Sequence, residues 1–187
     1  MNRRPWLILL ATGALAAGLG AALNWRRTGP SPAGAEATAA FFAASFPDAD
    51  GRQQPLSQWR GRPLVVNFWA TWCPPCVEEM PDLQRVRDAY RDRGVEVIGI
   101  GIDSAAKIAA FRDSHRLTLP LLVAGAGGSD LNRALGNSGG ALPYTVLIGP
   151  DGSVRERHLG QVKPEQLRRW LDAALPRGQG RQLDSQR

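Results

Sequence analysis

Only two cysteines and two histidines occur among the 187 residues. A structural zinc site wants four ligands, and His115 and His158 lie far from the cysteines on what read as other elements. Covalent haem attachment needs a histidine directly after the second cysteine of a Cys-x-x-Cys pair. Position 77 is valine, which excludes that use. No stripe of basic residues interleaved with aromatics is present, which argues against nucleic acid as a partner. The formal charge is +6, from 23 basic and 17 acidic residues, and much of the excess is terminal: Arg3, Arg4, Arg26 and Arg27 at one end, Arg177, Arg181 and Arg187 at the other. There is no internal repeat. At 43% hydrophobic and 21% charged, the composition is globular rather than disordered.

Charge is also missing from Pro5 to Trp25. That run is long enough to cross a bilayer, which takes about 20 apolar residues, and Trp6 and Trp25 bracket it as interfacial anchors do. It equally has the parts of a secretory signal: a basic start, an apolar middle and small residues at Ala14-Leu15-Ala16. "RRPWL" is faintly similar to a twin-arginine export signal. Residues 1–27 read as an uncleaved membrane anchor, with a cleaved signal as the alternative, because cleavable apolar cores are shorter. Both readings put the remainder outside the cytoplasm. Residues 28–40, rich in Pro, Gly, Ala and Ser, read as a linker. Residues 41–176 then form the domain, and 177–187 a frayed tail.

Within the domain, "ASFPDADGRQQPLSQWRG" carries turn signals and reads as a short hairpin. "PLVVNFWA" and "VEVIGIGI" are apolar runs rich in β-branched residues, as strands buried on both faces are. Between them Cys76, Met80, Leu83, Val86 and Tyr90 recur at helical steps, ending near Arg93-Gly94. Pro81 falls inside that helix and removes a hydrogen bond to the Val77 carbonyl. "SAAKIAAFRDSH" predicts a second helix with Ser104 as its N-cap, and "LPLLVA" a third strand. "SDLNRALG" predicts a short helix ending at Gly136. "YTVLIG" and "SVRERHLG" around "PDG" predict an antiparallel pair, and "KPEQLRRWLDAAL" a closing amphipathic helix. Strands alternating with helices make an α/β fold: a central, mostly parallel sheet, helices on both faces and a late antiparallel hairpin at one edge.

Both cysteines lie in "NFWATWCPPCVEEMP". A zinc site and an inert disulfide are the lesser readings. The first is short of ligands, and the second closes a ring too small to stabilise much. The favoured reading is a redox-active dithiol at a strand-to-helix turn. Cys73 would stand at the helix mouth, where unpaired N–H groups and the positive end of the dipole favour a thiolate. Cys76 would lie one turn inside on the same side, shielded but within reach of an exposed Cys73, as disulfide exchange requires. Pro74 keeps Cys73 out of helical geometry, and prolines are tolerated in a first turn. They also withdraw two N–H groups from the Cys73 sulfur. Less thiolate stabilisation means a less oxidising couple, so the pair is expected to lean toward reductant.

"VVNFWATWCPPCVEEMP" together with "ALPYTVLIGPDGSV" resembles the thioredoxin superfamily, and within it the membrane-anchored, extracytoplasmic thioredoxins of the TlpA, ResA and CcmG type. The resemblance runs from about Phe41 to Leu175. It implies a thioredoxin-like fold and a cis peptide before Pro143, with the Leu142 backbone alongside Cys73 and free to pair with a substrate strand. The residue reading alone leaves Pro143 as the start of a strand. Many cytoplasmic thioredoxins carry a buried aspartate where this chain has Asn67, which cannot titrate. Glu79 shares a helix face with Cys76 and matches a glutamate of the TlpA and ResA type. It is the expected base for Cys76, against the plainer reading of a solvated helix glutamate. Trp69 and Trp72 are candidates to wall the site, with Trp72, Leu142 and Pro143 expected to meet substrate, and core packing explains the tryptophans equally well.

The expected activity is a thiol:disulfide oxidoreductase without cofactor or metal. It would reduce disulfide-bearing proteins and be recharged by a dithiol electron donor at the inner membrane; by resemblance, its substrates include apocytochrome c or a copper-site protein. The alternatives are a peroxide reductase, since Thr71 loosely echoes the Thr-x-x-Cys of peroxiredoxins at a spacing short by one residue, and a chaperone holding Cu(I) through both thiolates.

Overall fold

The two apolar runs predicted as doubly buried strands lie side by side at the centre of a five-stranded sheet. The computed structural model describes residues 32–175; the expected anchor (1–27) and tail (177–187) lie outside them. In chain order the elements are α1 (Pro32–Ala43), β1 (Ser45–Pro47), β2 (Gln53–Pro55), a 3-10 turn (Leu56–Trp59), β3 (Leu64–Trp69), α2 (Pro74–Tyr90), a 3-10 turn (Arg91–Arg93), β4 (Glu96–Gly101), α3 (Ala105–His115), β5 (Leu121–Val123), α4 (Gly125–Ala134), β6 (Tyr144–Ile148), β7 (Val154–Leu159) and α5 (Pro164–Ala174). Strand order in the main sheet is β5-β4-β3-β6-β7. β3, β4 and β5 run parallel, β6 is antiparallel to β3, and β7 to β6. β1 and β2 form the predicted small hairpin.

Every residue of β3 is buried, and successive side chains serve opposite faces. Val65 and Trp69 join Cys76, Met80, Leu83 and Val86 of α2, Ile108 and Phe111 of α3, and Leu167 and Leu171 of α5. Leu64, Val66 and Phe68 join Phe41 and Phe42 of α1 on the other face. Each fully buried leucine contributes roughly 1.5–3 kcal/mol, so both helical layers are held by burial. Asn67 has the parity of Val65 and Trp69, which directs it toward α2.

Two local expectations need correction. Residues 32–40, read as linker, are helical and continue to Ala43. Alanine is the best helix former and Pro32 sits at the helix start, where it is tolerated; Thr38 and Phe41 anchor the helix by burial at 4% and 0% exposure. α4 begins at Gly125, ahead of the expected start at Ser129. Gly128 is a close approach, not a loop: a Cβ there would fall 2.9 Å from the Ala124 Cβ and 3.3 Å from Ile102 Cγ1. Ser104 stands at the N-cap of α3, but its side chain makes no capping bond. Asp103 Oδ1 accepts the Ser104 N–H at 2.7 Å.

Among the described residues, no helix is long and apolar enough to cross a membrane.

Candidate active site

β3 delivers the chain to Cys73, the N-cap of α2, in extended geometry (φ −101°, ψ 104°). Its N–H donates to the Ala70 carbonyl at 3.2 Å, and its carbonyl accepts the Val77 N–H at 3.1 Å. Pro74 and Pro75 fill the first two helical positions, where an N–H would have no helical partner. Cys73 and Cys76 are joined in a disulfide with Cα atoms 5.3 Å apart. Cys76 is fully buried and Cys73 is 5% exposed. Cys73 is thus the more accessible residue of the pair, but by a narrow margin, and it is not openly exposed, because it sits in the same buried cluster as Cys76.

The two tryptophans part company. Trp72, beside Cys73, is 63% exposed, while Trp69 is fully buried. Trp69 packs on Phe111 with ring centroids 5.0 Å apart, a core role.

On the neighbouring strand, the Leu142–Pro143 peptide is cis. Leu142 is half-buried and packs against the cluster containing both cysteines. The Pro143 carbonyl accepts the Gly160 N–H at 2.9 Å. The Leu142 N–H and C=O take no part in hydrogen bonding among the described residues.

Glu79 is fully buried, one turn beyond Cys76 on α2. Asn67 Nδ2 donates to its Oε1 at 2.7 Å, and the Val162 N–H to its Oε2 at 2.9 Å. Burial disfavours the charged form and pushes the carboxyl from 4.5 up to about 7, against the opposing pull of the two hydrogen bonds and the charge of Lys163. Asn67 also donates to Thr145 Oγ1 at 3.0 Å, and the two are direct cross-strand partners. Thr145 and the Val162 amide went unassigned in the sequence. The threonine was visible as the polar residue of "LPYTVLIG", whereas a main-chain donor leaves no mark in a sequence.

A second contact braces the turn before Cys73. Thr71 Oγ1 donates to Asp103 Oδ2 at 2.5 Å, and Lys107 Nζ lies 3.4 Å from Asp103 Oδ1. Burial pushes Asp103 up, but the bonds from Thr71 and the Ser104 N–H outweigh it and hold the carboxyl below its ordinary range. His115 stacks on Phe111 at 4.0 Å and His158 reaches the Gln161 carbonyl at 3.2 Å, so neither bonds to the cysteine pair. Among the described residues, no cluster of three or more His, Cys, Asp or Glu could hold a metal ion.

A Cys-x-x-Cys pair at a strand-to-helix turn, with a cis proline ahead of the adjacent strand of this sheet, defines a thioredoxin-fold thiol:disulfide oxidoreductase. The model of the AhpC/TSA family matches residues 36–157, and the chain belongs to that family. It is 30% identical over 141 residues to the thiol-disulfide oxidoreductase ResA of Geobacillus thermodenitrificans, covering 74% of this chain and 77% of that protein. A thiol:disulfide interchange protein of Chlorobium tepidum superimposes with a TM-score of 0.62 at 27% identity, over 71% of this chain and 93% of that one. MTB dsbF, at 23% identity, shares the fold with a TM-score of 0.63 over 74% and 97% of the two chains.

Proposed function

We propose that this protein reduces disulfides of other proteins outside the cytoplasm, tethered to the inner membrane by residues 1–27. The observation that carries the reading is Glu79: a buried carboxyl, poised near neutrality, on the same helix face as the inner cysteine. In the reduced enzyme the Cys73 thiolate attacks a substrate disulfide, forms a mixed disulfide and expels one substrate thiolate. Cys76 gives its proton to Glu79 and attacks the Cys73 sulfur. That breaks the mixed disulfide, releases the second substrate sulfur and leaves Cys73–Cys76 oxidised. Two electrons pass to the substrate, and a membrane dithiol donor restores them. Substrate backbone pairs with the free N–H and C=O of Leu142 as an added strand, and Trp72 offers an apolar face beside it. Likeness to ResA supports the redox class and, with the extracytoplasmic type that its motifs resemble, apocytochrome c or a copper-site protein as substrate.

Trapping tests this reading. Cys76→Ser should accumulate mixed disulfides with native partners through Cys73, and Cys73→Ser should not. Equal trapping by both variants would overturn the assignment of the nucleophile.

A further inference from the structure

One polar side chain interrupts the buried length of β3. Asn67 is fully buried between Val65 and Trp69 on the face toward α2, where an amide is costly unless its hydrogen bonds are met. They are met at one end only. Nδ2 donates to Glu79 Oε1 at 2.7 Å and to Thr145 Oγ1 at 3.0 Å, while Oδ1 is buried without a partner. An amide kept solely for packing would gain by satisfying both ends or by being replaced with a hydrocarbon. This one gives up its acceptor and spends its donor on a carboxylate.

We infer that Asn67 is the positioning residue for proton transfer at Glu79: its amide, held by Thr145, orients the carboxylate and keeps it ionised and ready for the proton of Cys76. The inference rests on Glu79 as the proton carrier. A donor aimed at a carboxylate favours its charged form. The remaining groups acting on Glu79 are the Val162 N–H and the charge of Lys163, ahead of α5, and Cys76 precedes it by one turn on α2. In the step served, the Cys76 S–H bond breaks, its proton passes to a Glu79 oxygen, and the electron pair left on sulfur forms the bond to Cys73. The outgoing substrate thiolate takes its proton from solvent.

The test uses the reduced full chain and a peptide disulfide with a fluorescent leaving group. The rate of mixed-disulfide resolution is followed against pH, and Glu79 is titrated by carboxyl 13C NMR. Glu79→Gln comes first: loss of the pH midpoint near neutrality supports the carrier, and its retention removes Glu79 from the mechanism and the inference with it. With the carrier established, Asn67→Leu should raise both midpoints by about one pH unit and slow resolution at pH 6.5 about tenfold. Folding stability should fall somewhat, because buried Glu79 Oε1 and Thr145 Oγ1 both lose their donor, so the two midpoints and not the stability carry the test. Thr145→Val, which keeps the amide but frees it, should move both midpoints the same way by less, and it decides the matter if the leucine variant does not fold. Unchanged or lowered midpoints in these variants would overturn the inference.

Discussion

The main-chain N–H of Val162 donates to Glu79 Oε2 at 2.9 Å, joining two residues 83 positions apart beneath the redox pair. The segment ahead of α5 therefore closes over a carboxyl that burial raises from 4.5 to about 7. The folded protein binds this proton more tightly than the unfolded chain does. The resulting stability is complete below about pH 4.5 and is lost as pH rises through about 7, with an upper bound of about 3 kcal/mol.

Urea unfolding at a series of pH values checks that sign. The native protein should lose stability from pH 5 to pH 8 relative to Glu79→Gln, whose profile should be flat across this window. Asp48, Asp103, Asp151 and Asp172 are all held below their ordinary range. They titrate at lower pH and cannot mimic the effect. A difference of opposite sign would show that the carboxylate, not the acid, is the better-stabilised buried form.

Pro74 and Pro75 make a second prediction. Neither has an N–H to offer the Cys73 sulfur, so the thiolate at the mouth of α2 is stabilised less than in a site with two free amides. The reduction potential should lie closer to that of thioredoxin, about −270 mV, than to that of DsbA, about −120 mV. Pro75→Ala restores one donor and should make the couple more oxidising, by roughly 30 mV for each 1.4 kcal/mol of thiolate stabilisation gained. Equilibration with glutathione buffers reads both values. A potential that falls in Pro75→Ala would contradict the argument.

The brace between Thr71 and Asp103 gives a third. Asp103→Ala removes the partner of the half-buried Thr71 hydroxyl and should cost about 0.5–1.5 kcal/mol, together with slower disulfide reduction as the turn carrying Trp72 and Cys73 loosens. Asp103→Asn keeps Oδ1 as acceptor for the Ser104 N–H and sets an amide N–H2 against the Thr71 hydroxyl, which can accept from it, so it should lose less stability than Asp103→Ala. Chemical unfolding and a disulfide-reduction assay separate the pair; equal losses would point to the charge of Asp103 rather than to its hydrogen bonds.

The legible parts of this molecule are those written in periodicity and spacing. The doubly buried strands, the helix through Cys76, Met80, Leu83 and Val86, and the late hairpin all follow from apolar repeats, and the redox pair follows from Cys73, Cys76 and the prolines between them. What escaped was set by tertiary contact. Residues 32–40 look like linker because Ala, Gly and Pro carry little apolar signal, yet Thr38 and Phe41 dock the helix against the sheet. Gly128 looks like loop because close packing is indistinguishable from flexibility in a sequence. The surroundings of Glu79 were hidden for the same reason. Asn67, Thr145 and Val162 come from three separate segments, and only the register of β3 against β6 brings the first two together.

Gly160 provides the last test, of the peptide seat. Its N–H donates to the Pro143 carbonyl at 2.9 Å, fixing the strand start beside Leu142 against the end of β7. It does so with φ +94°, and nothing lies within 4 Å of where its Cβ would be. Gly160→Ala therefore meets no steric clash and acts through the backbone alone, at a cost of roughly 1–2 kcal/mol. Gly152, in the turn between β6 and β7, has φ +78° and equally open space, so Gly152→Ala should cost a similar amount of stability. The two should differ in function. If substrate backbone pairs at Leu142, relaxing the Gly160 bond disorders the seat and raises KM for a protein disulfide while leaving reactivity toward a small-molecule disulfide nearly unchanged. Gly152→Ala should alter neither. A matching rise in KM for both variants would reduce the effect to general destabilisation and remove the support for strand addition at this site.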